Sequence, residues 1–170
     1  VSVCTASAQL NGNEPIVGSG IWSNLTTSGN ASFENANLYN TFVRNLDPGE
    51  NKFRWTINSE CGILTDDVVI TNKIPSTAYA GEDIDICTSI ALTATTPKVG
   101  EGTWTGPAGI SFVNVNSSKS TVYNLNLGSN ILTWTSVTEC GSSFDEIDVI
   151  NNIPSSAVAG IDRTVCSTST

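Results

Sequence analysis

Apolar and polar residues alternate along short stretches of this chain. In "NKFRWTI" at residues 51–57, Phe53 and Trp55 fall on one side of an extended strand, and "NILTWTS" at 130–136 places Trp134 in the same way. Alternation with a period of two residues predicts strands that are buried on one face. No stretch shows a helical period, so the pattern predicts an all-β protein.

The same motifs return about 80 residues later. "PIVGSGIW" at 15–22 matches "PKVGEGTW" at 97–104, and "NKIPSTAYAGED" at 72–83 matches "NNIPSSAVAGID" at 151–162. Self-similarity at a fixed period indicates a tandem array, and each copy holds about seven short strands separated by turn residues. That pattern is typical of an immunoglobulin-like β-sandwich.

The motif positions predict three segments. Residues 1–76 form a first repeat whose first strand is truncated at its start, residues 77–155 form a second repeat, and residues 156–170 are the first strand of a third. Two tryptophans in each repeat sit at alternating strand positions. Such positions indicate core packing rather than a platform for sugar stacking. The predicted core tryptophans are Trp22, Trp55, Trp104 and Trp134.

Charge and composition exclude several classes of function. The net charge is −9, and the seven Lys and Arg residues are not clustered, which argues against a nucleic-acid partner. No run approaches the roughly 18 apolar residues that a membrane span needs, so no membrane insertion is expected. Histidine is absent, which removes the commonest general base and a common metal ligand. We therefore expect neither an enzyme nor a cofactor.

The five cysteines occupy two equivalent positions per repeat. The simplest pairing is Cys4 with Cys61 and Cys87 with Cys140, which leaves Cys166 to bond with a following repeat. Zinc is disfavoured because the sequence has no Cys-x-x-Cys and no histidine. Small modules with disulfide bridges indicate an oxidising, extracellular compartment.

Four acidic residues near the repeat boundaries are weak calcium candidates, namely Asp66, Asp83, Asp145 and Asp162. Calcium takes six to eight oxygen ligands. The neighbouring Glu82 and Asp85 have no acidic counterpart in the next copy. A repeated site should repeat its ligands. The favoured interpretation is therefore that these carboxylates lie in solvent at the rim of the sandwich or accept hydrogen bonds from N–H groups of turns.

The repeated pattern resembles a known family. The repeated pattern is "A-G-x-D-x-x-x-C", "L-x-A", "G-x-G-x-W", "L-x-x-G-x-N-x-x-x-W-T" and "C-G". The second copy carries all of it, whereas the first lacks its own "A-G-x-D" and has Asn11-Gly12 after Leu10. This resembles the PKD-like or immunoglobulin-like tandem repeats of giant Bacteroidota cell-surface adhesins, such as gliding-motility adhesins of the SprB type. The positions in the second copy are Gly81, Asp83, Cys87, Leu92, Ala94, Gly100, Gly102, Trp104, Leu125, Gly128, Asn130, Trp134, Cys140 and Asp145.

The resemblance implies a load-bearing repeat in a long filament at the cell surface. It implies export by type IX secretion and a role in surface attachment and gliding motility. The implied partners are neighbouring repeats of the same chain, the outer-membrane motility and secretion machinery and, through other domains, surface polysaccharide or the substratum. The family offers no catalytic or ligand residues to carry over.

A second function stays open. The chain could be a carbohydrate- or protein-binding accessory module of a secreted multidomain protein. That function predicts exposed aromatic side chains on one face, and the candidates are Tyr39, Phe42, Tyr79 and Tyr123.

Overall fold

The described part of the chain consists of β-strands joined by turns and loops. The computed structural model describes residues 1–27, 29–87, 89–154 and 156–164, and no helix occurs in that part of the chain. The strands of the first repeat are β1 (Ser2–Val3), β2 (Ser7–Gln9), β3 (Ser19–Asn24), β4 (Ser32–Phe33), β5 (Phe42–Arg44), β6 (Gly49–Ser59) and β7 (Gly62–Asn72).

The second repeat presents the same succession of strands. They are β8 (Ile84–Ile86), β9 (Ile90–Ala91), β10 (Glu101–Thr105), β11 (Ser111–Phe112), β12 (Thr121–Tyr123), β13 (Ile131–Thr138) and β14 (Gly141–Asn151).

In each repeat the strands form one four-stranded and one three-stranded sheet. The strand orders are β1-β7-β6-β3 and β2-β5-β4 in the first repeat, and β8-β14-β13-β10 and β9-β12-β11 in the second. All pairs are antiparallel except β1 with β7 and β8 with β14. This is an all-β, immunoglobulin-like sandwich, so the predicted fold class is confirmed.

Each repeat has its own hydrophobic core. The tryptophans pair across the sheet with ring centroids 5.1 Å apart, and the pairs are Trp22 with Trp55 and Trp104 with Trp134. A methyl group at Gly20 would lie 2.1 Å from the Trp55 ring, and one at Gly102 would lie 2.1 Å from the Trp134 ring. Glycine is therefore required where the partner indole crosses the neighbouring strand, which explains the repeated "G-x-W".

A buried asparagine ties a turn to the sheet in each repeat. Asn130 is fully buried, and its side-chain amide donates to the carbonyls of Asn126, Gly128 and Val149 at 2.8–3.0 Å. Its Oδ1 accepts from the N–H of Asn126 at 2.9 Å. Asn51 makes the equivalent contacts in the first repeat. Burial of an amide is tolerated here because its hydrogen-bonding groups are satisfied.

Candidate functional site: the junction between the repeats

A disulfide bond joins the two repeats to each other. Cys4 bonds to Cys140, 136 residues away along the chain, with 5.3 Å between their Cα atoms. The predicted pairing of Cys4 with Cys61 and Cys87 with Cys140 is therefore wrong. Cys61 and Cys87 are exposed free thiols. Cys166 lies outside the described residues.

The length of one strand explains the correction. Cys4 follows β1, whose Val3 lies opposite Asn72 at the last residue of β7. Cys61 precedes Gly62, the first residue of β7. Eleven residues at roughly 3.4 Å each separate the two cysteines by on the order of 35 Å. A disulfide requires Cα atoms within about 7 Å. The two cysteines of one repeat therefore lie at opposite ends of the sandwich.

Further contacts cross the junction beside the disulfide. Lys73 Nζ lies 2.9 Å from Glu139 Oε1, next to Cys140. Val99 lies against Gly49, where an added methyl group would be 3.7 Å from its Cγ2. The ion pair is exposed and contributes little stability by itself. The covalent bond therefore dominates the connection, and the other contacts orient the two ends.

The connection continues as a segment that enters the second repeat. We call residues 78–81, which read Ala-Tyr-Ala-Gly, the AxAG segment. Ala78 and Ala80 are 8% and 0% exposed. The N–H of Ala80 donates to Asp145 Oδ2 at 2.8 Å, and the N–H of Ala78 donates to Ser143 Oγ at 3.0 Å. The AxAG segment is thus held in the core of the second repeat by apolar packing and by hydrogen bonds.

The four calcium candidates do not converge. Asp145 holds the AxAG segment, and Asp83 Oδ1 accepts from the N–H of Asp148 at 2.8 Å. Asp66 lies exposed on β7, and Asp162 lies in the exposed stretch 156–164. Among the described residues, no group of three or more Cys, Asp or Glu side chains is arranged to hold a metal. Two of these carboxylates therefore serve backbone N–H groups.

The aromatic candidates of the binding hypothesis are dispersed. Tyr39 packs against the core of the first repeat. Phe42, Tyr79 and Tyr123 are each 41–42% exposed. The hydroxyl of Tyr79 donates to Glu82, which raises the pKa of that phenol. Phe42 pairs with β2 in the first repeat at the position that a threonine occupies in the second, so the aromatic set does not repeat.

A charged cluster lies on the outer face of β6 and β7. Arg54 Nε donates to Asp67 Oδ1 at 2.7 Å, and Lys52 Nζ lies 3.0 Å from Asp67 Oδ2. The hydrogen bond from Arg54, followed by that from Lys52, holds the pKa of Asp67 well below its usual range. In the second repeat, the neutral Thr133 stands at the position of Arg54 and Glu146 at the position of Asp67. Thr133 Oγ1 donates a hydrogen bond to Glu146.

Sequence reasoning missed an open cavity in the first repeat. Its volume is about 390 Å³, and its lining includes Leu10, Trp22, Trp55, Asp66 and Ile70.

The chain is similar in fold to several solved structures. No protein-family profile matches the chain, and no curated protein matches it. Among solved structures, the PKD domain of the KIAA 1837 protein is 28% identical over 48% of this chain and 93% of that domain, with a TM-score of 0.39. Two titin fragments, one of them an Ig tandem, are each 11% identical. They cover 89–90% of this chain and 92–93% of their own, with TM-scores of 0.49 and 0.42.

The described residues contain no helix long and apolar enough to cross a membrane.

Proposed function

We propose that this chain is a load-bearing section of a long extracellular adhesin filament on a cell surface, used for surface attachment and gliding motility. The observation that supports the proposal is the Cys4–Cys140 bond, which joins consecutive repeats covalently beside the peptide linker. Immunoglobulin-like sandwiches are common in cell-surface proteins as structural or binding modules.

The bond places a second connection in parallel with the linker. The linker leaves β7 at Asn72, and Cys4 follows β1, which pairs with the same end of β7. Tension between the repeats is therefore shared by the peptide chain and by a covalent bond. Disulfides persist in oxidising compartments, so the arrangement fits the cell exterior.

Single-molecule pulling on the two ends of the chain tests load bearing. The oxidised protein should extend only by the residues outside the bridged loop, which are 1–3 and 141–170 and include β14, because the bond shields the 136 residues between Cys4 and Cys140. Reduction should release roughly 480 Å of extra chain, at about 3.5 Å per residue. Full extension in the oxidised state would show that the bond does not carry load.

The adhesin role needs a test on cells. Antibody fragments raised against this chain should label the surface of intact producing cells and reduce their attachment and gliding. Labelling that requires permeabilised cells would contradict the proposal. Labelling without any change in attachment or movement would favour the accessory-module function instead.

A further inference from the structure

The two repeats have an open pocket at the same place, beside an edge strand of the four-stranded sheet. In the first repeat the pocket lies at β3 and measures about 320 Å³, and in the second it lies at β10 and measures about 410 Å³. We call them the edge pockets. The lining positions that coincide in the two repeats are Pro15 with Pro97, Gly18 with Gly100, Gly20 with Gly102 and Asn37 with Asn116.

An edge pocket stays open where another repeat is docked beside it. In the second repeat the turn that borders the pocket touches the preceding linker and repeat, since the N–H of Lys98 donates to Ser76 Oγ at 3.2 Å and Val99 lies against Gly49. The pocket keeps its volume of about 410 Å³ in the presence of these contacts. Stacking of the repeats therefore does not cover the edge pocket.

Glycines keep the strand side of the pocket free of side chains. A methyl group at Gly100, where φ is +83°, would lie 2.0 Å from the carbonyl oxygen of Val137. Gly102 is excluded from carrying one by the Trp134 ring, as described above. The wall of the pocket is consequently made of backbone.

The polar groups of that backbone point towards the pocket. The N–H of Trp22 donates to the carbonyl of Ala36 at 2.8 Å, away from β6. In an antiparallel pair, residues two apart direct their N–H and C=O groups to the same side, so those of Gly20 face the edge pocket. In the second repeat Asn116 Nδ2 donates to the carbonyl of Gly102 at 3.1 Å, which anchors the carboxamide in the pocket wall.

The rim of each edge pocket carries one carboxylate and one hydroxyl, at exchanged positions. Glu14 of the first repeat corresponds to Thr96 of the second, whereas Ser19 corresponds to Glu101. All four side chains are exposed. No ion pair in the described part of the chain engages either carboxylate. The chemical composition of the rim is thus the same in both repeats although the positions differ, as expected of pockets that take the same ligand.

This set of groups suits a neutral ligand with several hydroxyls. A carboxylate accepts two hydrogen bonds from adjacent hydroxyls, and the carboxamide, the rim hydroxyl and the backbone both donate and accept. No Lys or Arg lines either pocket, and the chain carries a net charge of −9, so an acidic sugar would be repelled. Volumes of this size lie at the small end of ligand sites, which fits one sugar ring of a longer chain.

An added peptide strand fits the edge pocket less well. Strand addition needs a run of free N–H and C=O groups along an edge. Here the open edge spans residues 18–20 only, because the N–H of Trp22 is already bonded to Ala36. A polyhydroxylated ring needs no such run.

We propose that each edge pocket binds one neutral pyranose ring of a polysaccharide, with Glu14 or Glu101 accepting hydrogen bonds from two adjacent hydroxyls and Asn37 or Asn116 contacting the same ring. Successive repeats present one pocket each, so individually weak sites act together on one polysaccharide chain. This gives the repeats a binding role beyond load bearing.

A glycan array tests the ligand class. The purified full chain is applied to an array printed with neutral hexose oligosaccharides and with sialylated and uronate-containing ones. It should bind neutral glycans and not the acidic ones. Absence of binding to any neutral glycan, or preference for acidic glycans, would overturn the proposal. Because the array uses the purified chain, this result is independent of the adhesin role, which is judged on cells.

Matched variants with equal loss of charge test the carboxylates. Glu14→Ala/Glu101→Ala should weaken binding to the array roughly tenfold or more. Glu50→Ala/Asp162→Ala removes two carboxylates outside the edge pockets and should leave binding unchanged. All four side chains are exposed, so folding is not disturbed. Equal binding by the two double variants would refute the assignment.

Nuclear magnetic resonance locates the site. The array's best-bound neutral oligosaccharide, added to the full chain, should shift the amide resonances of Gly20 and Gly102 and leave those of Gly29 and Gly109 in place. A synthetic tetrapeptide of alternating threonine and valine should shift none of them. Shifts of Gly20 and Gly102 with the peptide and not with the sugar would overturn the proposal in favour of strand addition, and sugar-induced shifts that spare both glycines would place the sugar elsewhere and refute it.

Discussion

Removal of the Cys4–Cys140 bond should uncouple the two repeats. If the first repeat unfolds while the second stays folded, the bond closes a loop of about 70 residues between Cys4 and the linker, worth about 4 kcal/mol on a chain-entropy basis. The loop between the linker and Cys140 has nearly the same length, so the second repeat gains a similar amount. With both repeats unfolded the loop has 136 residues, and the bond is worth about 5 kcal/mol.

The bond therefore raises the cost of the first unfolding event by about 4 kcal/mol and of the second by only about 1 kcal/mol. A state with one repeat unfolded is thus penalised by about 4 kcal/mol, whereas the state with both repeats unfolded is penalised by only about 5 kcal/mol for two repeats. The bridged protein should consequently unfold in a single transition, and a protein without the bridge should unfold in two.

Urea unfolding at equilibrium, followed by tryptophan fluorescence and by circular dichroism, measures this coupling. The Cys4→Ser/Cys140→Ser variant should show two transitions with lower midpoints than the parent. The matched control is Cys61→Ser/Cys87→Ser, which removes two free thiols and should leave the unfolding curve unchanged. The reasoning is refuted if the bridge-free variant retains one transition at the midpoint of the parent.

Two further predictions concern single side chains. Asn130→Ala removes a buried amide and leaves backbone carbonyls unpaired, so the second repeat should lose about 3 kcal/mol of unfolding free energy. Asn126→Ala, at an exposed position in the same turn, should change that free energy by less than about 0.5 kcal/mol. Equal urea midpoints for the two variants would contradict this. The lowered pKa of Asp67 adds stability above the ordinary aspartate pKa near 4 that is lost as pH falls through the lower folded-state value. Asp67→Asn should therefore flatten the acid side of the stability–pH curve, by a small amount because the pair is exposed, and an unchanged slope below about pH 4 would refute it.

The fold class could be predicted from the alternation of apolar and polar residues, because that alternation depends on interactions within and next to a single strand. Phe53 and Trp55 alternate with polar residues on β6, and both are buried. Period-two alternation depends only on one strand and the core below it. The glycine in "G-x-W" is likewise explained by one neighbouring indole. Features that involve adjacent strands of a single repeat are accessible from sequence for this reason.

The disulfide pairing was inaccessible because repetition makes two partners equivalent. Cys61 and Cys140 occupy the same position in successive repeats, so each pairs equally well with Cys4 on the basis of pattern alone. The choice depends on the length of β7 and on which end of the next repeat faces Cys4. Those are facts about how modules stack, and a single-repeat motif does not encode them.

The two cysteine positions place the load on the best-supported strand of the repeat. Cys61 lies at one end of β7, and Cys4 lies beside its other end. β7 is an inner strand, paired with β6 along its full length and with β1 at Asn72. Force that enters at the hairpin and leaves at the first strand therefore acts along β7 and loads its parallel pairing with β1 in shear, instead of peeling an edge strand. Shear loads many hydrogen bonds together, whereas peeling breaks them one by one. A bond between Cys4 and Cys61, within one repeat, would have left the peptide linker as the only covalent connection between the two repeats.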